Sequence, residues 1–416
     1  MIAILRHILP NFFRLGLIQV FSILLQFLLI PLVVSRAGLI ENAKMLTALS
    51  IAGLFSIVVN YGTSQSGPMS LLENEKEGSV DPGRSPLKVL LFVRILLFLA
   101  VAALFVILYW LQVSFAIFLL GTLPILLSEV LNPYVVCIGT NRLSVLTGLN
   151  FFGRSMGFLL VYFFWNDPAL SYMVNFYVGI GSVIVFLFFW VVESVRGRLR
   201  WGQLSLTELL RLVQQNFSLV ASNMLVYLQQ SLVLYTIGIV ATAPVLGVYA
   251  IIDKLIWGFR MLLISFSGAV FASALNMYNE GQKSWSKFRG KINRLLAGGL
   301  LIAALLLVAI AKPLAVFLAG QTDPKALAYS IGLAAVIPLL AGLNLLNVLE
   351  LILQKQFARL NAINGRVFLG IALLCAFLWS LHLLQIEILF WMPVLLLLLA
   401  ESITLLIYEK DRHHTR

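Results

Sequence analysis

Residues Leu246–Phe271 read LGVYAIIDKLIWGFRMLLISFSGAVF, and this stretch decides the class of the whole chain. It is long enough to cross a bilayer, since about 20 residues at ~1.5 Å rise cover a hydrocarbon core of roughly 30 Å. Yet it contains Asp253, Lys254 and Arg260. A charge at that depth costs roughly 2.5–3.5 kcal/mol on insertion scales, so it faces a partner or a wet cavity. Asp253, Trp257 and Arg260 stand at i, i+4 and i+7, one face of a helix. Two readings follow: an ion pair that only holds helices together, or a helix lining a substrate path. The second is favoured, with Asp253, Lys254 and Arg260 as substrate-binding candidates.

The rest of the chain agrees with a membrane class. Of its 416 residues, 61% are hydrophobic and only 11% charged, and the mean hydropathy is +0.99. Soluble domains carry roughly a quarter charged residues. The net charge of +12 has no soluble basic domain to house it, so nucleic acid is not the implied partner. Cations placed in loops on one side of a membrane explain it more simply. Cys137 and Cys375 both sit at or in apolar spans, which implies neither a disulfide nor a metal site. The segment Met1–Pro10 lacks a small-residue cleavage site and runs into a full-length span, reading as an uncleaved first helix.

Hydropathy marks twelve spans, near 12–34, 43–66, 87–110, 114–136, 143–164, 172–193, 216–240, 244–271, 295–318, 327–351, 361–383 and 386–408. Breaks such as Asp81-Pro82-Gly83, Asn166-Asp167-Pro168 and Thr322-Asp323-Pro324 separate them. The break at Tyr109–Ser114 is weak enough to leave a re-entrant pair open. With the amino terminus inside, inward segments hold twenty cations and outward segments only Arg36, Lys44, Lys312 and Lys325. Both termini are therefore expected in the cytoplasm. A weak repeat supports two six-helix halves: Asn11-Phe12 and Asn216-Phe217 lie 205 residues apart, and Gly153-Arg154 and Gly365-Arg366 lie 212 apart. The expected lobes are 1–200 and 216–416, joined by a cytoplasmic linker at 201–215 near the basic stretch Arg196–Arg211.

Polar residues inside the spans supply further candidates. Gln19, Ser22 and Gln26 form a stripe on the first span, and Asn223, Tyr227 and Gln230 form one on the seventh. Such stripes serve as hydrogen-bonding glue between helices or as lining of a shared cavity. Arg154 lies about 18 Å of helix beyond Arg142, too deep for simple snorkelling, with Gly153 and Gly157 allowing close helix approach. Intramembrane arginines suit a phosphate better than a neutral drug, because the guanidinium fork matches phosphate oxygens. Glu129, Glu350 and Glu401 read as interfacial acids more readily than as proton carriers. The segment Asn60–Pro68 reads equally as a bent, water-lining helix end or a plain terminus. HExxH and P-loop motifs are absent from the sequence, and the outward loops are a few residues long, which argues against an enzyme.

At this point the residues resemble a family. The run Asn11–Glu73, with Gln19, Pro31-Leu32-Val33-Val34, Arg36, Gly38 and Asn60-Tyr61-Gly62, is similar to the start of bacterial O-antigen and polysaccharide flippases of the multidrug/oligosaccharidyl-lipid/polysaccharide (MOP) exporter superfamily. Gly247-Val248-Tyr249 and Asp253-Lys254 fit that family's Gly-x-Tyr then acidic–basic pattern. The chain departs from the pattern at Gly38-Leu39-Ile40-Glu41, at Asn60, and in lacking a proline near Phe271-Ala272-Ser273. The resemblance implies an all-α polytopic fold of about twelve transmembrane helices in two lobes around a cationic central cavity. It implies a flippase that moves a polyprenyl-pyrophosphate-linked oligosaccharide from the inner to the outer leaflet by alternating access. The implied partners are that lipid-linked substrate, membrane lipids and other glycan-assembly membrane proteins. No cofactor is implied beyond a coupling ion, H+ or Na+. The alternatives are a cation-coupled multidrug or metabolite antiporter of the same superfamily, and a membrane enzyme of glycan assembly.

Overall fold

The computed structural model describes residues 20–21, 23–63, 86–113, 115–140, 142–196, 206–319, 324–354, 356–386 and 389–413. Within them the regular structure is helical throughout. Ten helices are long and apolar enough to span a membrane, and the bent pair Ala243–Phe271 and Ser273–Asn279 makes an eleventh. The shorter helix Ile23–Ala37 stands where the first span is expected. The protein is a multi-pass membrane protein, and a helix stands at each of the twelve places that hydropathy marks.

Two spans differ from expectation for physical reasons. The ninth was expected near 295–318, but its helix runs Gln282–Ala309, and the shorter Ala311–Ala319 follows. Its first turns are amphipathic: Trp285, Phe288 and Ile292 are buried while Lys283, Lys287 and Lys291 are exposed. Average hydropathy misses such turns, although their 3.6-residue period supports a helix. The fourth span is broken into Ala116–Gly121, Leu123–Leu131 and Tyr134–Gly139. Pro133 causes the second break, because it has no N–H to give to the carbonyl of Glu129 four residues back.

The chain divides into two compact units, one of Met1–Leu46 with Leu228–Arg416 and one of Thr47–Tyr227. In the second unit, the fifth span (Ser144–Phe164) and sixth span (Met173–Val195) form the most extensive helix pair. Their glycines make this possible. A Cβ on Gly181 would lie 2.2 Å from the backbone nitrogen of Gly157, and one on Gly157 would lie 2.7 Å from the carbonyl of Val178. Lipid tails are as apolar as leucine, so close backbone packing replaces the hydrophobic drive as the source of association. In the first unit, Leu263, Phe266 and Val270 of the eighth span pack with Trp285 and Phe288 of the ninth and Leu346 and Leu349 of the tenth (Pro324–Leu353).

Candidate functional site: two buried ionic clusters

The first cluster is built on the eighth span. Asp253 is 1% exposed, Lys254 7% and Arg260 5%. Arg260 Nη2 donates to Glu401 Oε1 of the twelfth span at 2.7 Å, and the guanidinium lies 5.8 Å from the ring centroid of Trp257. Its Nε and Nη1 are buried and find no acceptor among the described residues. Three N–H bonds of a charged group are thus held out of water with no protein acceptor. The Asp253 carboxylate and the Tyr249 hydroxyl, one turn apart on the same helix, also carry buried oxygens without a hydrogen bond. Lys254 Nζ lies 3.3 Å from Asp253 Oδ2, a sideways contact between sequence neighbours with poor hydrogen-bond geometry.

Around this cluster the helices come close. A Cβ on Gly258 would lie 3.2 Å from Ile23 of the first span, and Gln26 stands one turn further along that span. Gln229 Nε2 reaches Thr404 Oγ1 at 3.4 Å, one turn beyond Glu401. Asn344 Nδ2 of the tenth span reaches the carbonyl of Glu401 at 3.5 Å. A separate group ties Arg289 of the ninth span to Glu350, Asn347 and Glu409, so that the ninth, tenth and twelfth spans share one buried guanidinium.

The second cluster lies in the other unit and has a different character. Arg94 of the third span (Leu87–Trp110) is 1% exposed. Its Nη1 donates to the carbonyls of Glu129 at 3.3 Å and Asn132 at 3.4 Å, on either side of the turn that precedes Pro133, where the Glu129 carbonyl also accepts from the Asn132 N–H at 3.4 Å. Its Nε and Nη2 reach Thr63 Oγ1 at 2.9 and 2.6 Å, and Nη2 also reaches Asn60 Oδ1 at 3.2 Å. The end of the second span (Leu39–Asn60) is shaped to present these groups. Tyr61 and Gly62 turn into left-handed backbone, with φ of 47° and 69°. Only glycine adopts that region freely, so Tyr61 is held there by its surroundings, including its hydroxyl bond to the Val213 carbonyl at 3.3 Å. Glu129 feels the charges of Arg94 and Arg154 together. Arg154 itself is exposed. At the loop before the fifth span, both carboxylate oxygens of Glu193 accept from Arg142, at 3.0 and 2.8 Å. These bonds hold the Arg142 guanidinium above its already high ordinary pKa.

Comparison with known proteins places the helices. No family model and no curated protein matches the chain. Solved structures do match. The fold is that of MATE-type transporters of the MOP superfamily. A multidrug resistance MATE family transporter aligns at TM-score 0.71 and 9% identity, over 95% of this chain and 94% of its own. A Vibrio cholerae MATE transporter aligns at TM-score 0.68 and 15% identity, over 99% and 98%. A MOP superfamily transporter from Pyrococcus furiosus aligns at 0.67 and 11%, over 96% and 95%. At such identities the likeness is one of fold, and it covers nearly the whole chain.

The candidates from sequence fall into three groups. Asp253, Lys254 and Arg260 come together as one cluster in the first unit. The direct partner of Arg260 is Glu401, however, with Asp253 turned to Lys254. Gln26, Gln230 and Asn223 are half-buried, while the neighbouring Gln229 makes the bond to the twelfth span. Gln19 lies outside the described residues, as do Ser22 and the end of the polar segment from Ser64 to Pro68. Sequence reasoning missed Arg94, a lone cation in the apolar run VLLFVRILLF, and read Glu401 as an interfacial acid where it is the partner of Arg260. The same logic that singled out Arg260 applies to Arg94.

Proposed function

We propose that this chain is a flippase, carrying a polyprenyl-pyrophosphate-linked oligosaccharide of surface-glycan assembly from the inner to the outer leaflet of a bacterial cytoplasmic membrane. Both termini are on the cytoplasmic side in this reading, and the MOP-type lobes alternate in access. The observation that carries it is Arg260: a guanidinium buried in a membrane span, held by one carboxylate, with Nε and Nη1 unfilled. A charged donor in low dielectric gains from an anion, and charge-assisted hydrogen bonds are worth roughly 1.5–3 kcal/mol each. Lys254, against Asp253 on the same helix, adds positive charge. Glu401 holds the arginine when substrate is absent, and substrate phosphate competes for it, giving two states. Arg154 is a further candidate for phosphate in this reading, and Gln26, Asn223 and Gln230 are candidates for sugar hydroxyls.

A second reading has its own support. The fold likeness includes a multidrug resistance MATE family transporter, which favours a cation-coupled antiporter of drugs or metabolites. One assay separates the two: surface-glycan display and cationic-dye efflux in a strain lacking the native gene, with membrane abundance measured alongside. The flippase reading expects Arg260→Ala to abolish display at normal abundance, and Arg260→Lys to retain part of it, because charge survives but the fork does not. Dye efflux without any effect on display favours the antiporter. Full display by the Arg260→Ala protein overturns the phosphate role.

A further inference from the structure

The ninth span carries a feature that substrate transport does not use. Over its first turns, Lys283, Lys287, Lys291 and Arg294 recur at i, i+4, i+8 and i+11, and all four are exposed. Among the described residues none of them has an ion-pair partner. The opposite face is buried, with Trp285, Phe288 and Ile292 in the core and Arg289 tied to Glu350. At 100° per residue the exposed cationic face continues directly into Gly298, Leu301 and Leu305. Leu301 is 50% exposed and Leu305 63%. Gly298 and the adjacent Gly299 have open space where a Cβ would stand.

Length fixes where this face lies. The helix has 28 residues, about 42 Å, against a hydrocarbon core of roughly 30 Å. Its apolar part, from Leu295 onward, belongs in the core, so Arg294 and Lys291 stand in the headgroup layer, with Lys287 and Lys283 further out along the same face. One continuous face therefore offers cations at headgroup depth, a shallow glycine notch below them, and leucines at chain depth. We propose that this face is a binding site for anionic phospholipid. The lipid phosphate sits on Lys291 and Arg294, one turn apart and next to the apolar part, with Lys283 and Lys287 adding attraction from further along the face, and an acyl chain lies over Gly298, Leu301 and Leu305. The occupant is a bilayer lipid because the face is exposed and opposite to the one that packs into the core of its own unit, and it pairs cations with apolar side chains along one line. The proposal does not depend on what the protein transports.

The test titrates the purified full-length chain in detergent with phosphatidylglycerol or phosphatidylcholine, reading bound lipid by native mass spectrometry. Each cation near an anionic headgroup is worth about fivefold in affinity. The variant Lys283→Gln/Lys287→Gln/Lys291→Gln/Arg294→Gln should lose at least about twentyfold for phosphatidylglycerol and leave phosphatidylcholine unchanged. Should that variant fail to insert, Lys287→Gln/Lys291→Gln reads the same titration, with a loss of at least about fivefold expected. Gly298→Leu should weaken binding with no change in charge, by filling the notch. Lys312→Gln/Lys325→Gln, on other segments, should bind as the parent does. Unchanged phosphatidylglycerol affinity in the cation variants overturns the site. So does a polyprenyl pyrophosphate that displaces the phospholipid mole for mole, since the face would then belong to substrate.

Discussion

Arg94 and Arg260 are buried almost equally, 1% and 5% exposed, and live in opposite circumstances. Every nitrogen of Arg94 has an acceptor: Thr63, Asn60 and the carbonyls of Glu129 and Asn132 beside the Pro133 break. Among the described residues Arg260 has one, Glu401. A fully satisfied buried charge has nothing left to offer a ligand, and it locks the helices that satisfy it. A half-satisfied one carries a standing desolvation cost that an incoming anion relieves. The comparison teaches that burial alone does not mark a functional charge. The unspent donors do.

The largest effect expected is on Arg94. Replacing it with alanine strands Glu129, its neighbouring charge, and several acceptors, and breaking such a buried network costs about 3–5 kcal/mol. Most of the Arg94→Ala protein should be lost from the membrane, read as folded abundance after mild extraction. Normal abundance would show that Arg94 is as dispensable as a surface charge. Next comes its link to the helix break. Pro133→Ala returns an N–H to the Glu129 carbonyl, so the double change Arg94→Ala/Pro133→Ala should be milder than Arg94→Ala alone by about 1 kcal/mol. Strict additivity in thermal unfolding would remove the claim that Arg94 caps the break.

The contrast sharpens at Glu401. Glu401→Gln weakens the ion pair of Arg260 with Glu401 and should lower stability modestly, by about 1–2 kcal/mol, read as a lower melting temperature. A soluble pyrophosphate-bearing lipid analogue should raise the melting temperature of this variant more than that of Arg260→Ala. Equal responses in the two would mean that the guanidinium does not meet the anion. Arg154→Ala should leave stability within about 0.5 kcal/mol, since the side chain is exposed, yet abolish glycan display. The smallest effect is expected for Asp253→Asn, whose contact with Lys254 is poor. Display should fall by less than in either alanine variant, and a complete loss would move Asp253 from the margin of the site to its centre.

Much of this was legible in the sequence, and the limits were physical. Apolar runs of about 20 residues locate the spans because the bilayer sets their length, and Asp253 and Arg260 stand out because charge is costly there. Gly153 and Gly157 announced a close helix pair that the fifth and sixth spans form. Partners were another matter. Glu401 lies 141 residues from Arg260, and helical periodicity says which face a residue occupies but not which helix meets it. The family of Pro133, Glu129 and Arg94 is invisible for the same reason: a missing N–H leaves its mark on a carbonyl that another helix must answer. The amphipathic start of the ninth span was cut away by hydropathy averaging, though its lysine spacing was plain.

The glycine contact between the fifth and sixth spans has a mechanical meaning. With Gly181 seated against Gly157 and the backbone of Ser182 facing Gly153, neither helix can slide or roll without collision. The two move as one stiff plate, and Arg154, set between Gly153 and Gly157, is bolted to it. The neighbouring fourth span is interrupted at Asn132-Pro133, where a helix is most compliant. Ahead of that interruption Leu123–Leu131 is seated on the same plate, since a Cβ on Gly179 would lie 2.4 Å from the backbone nitrogen of Ile125, so Glu129 and Arg154 are carried together on one stiff element.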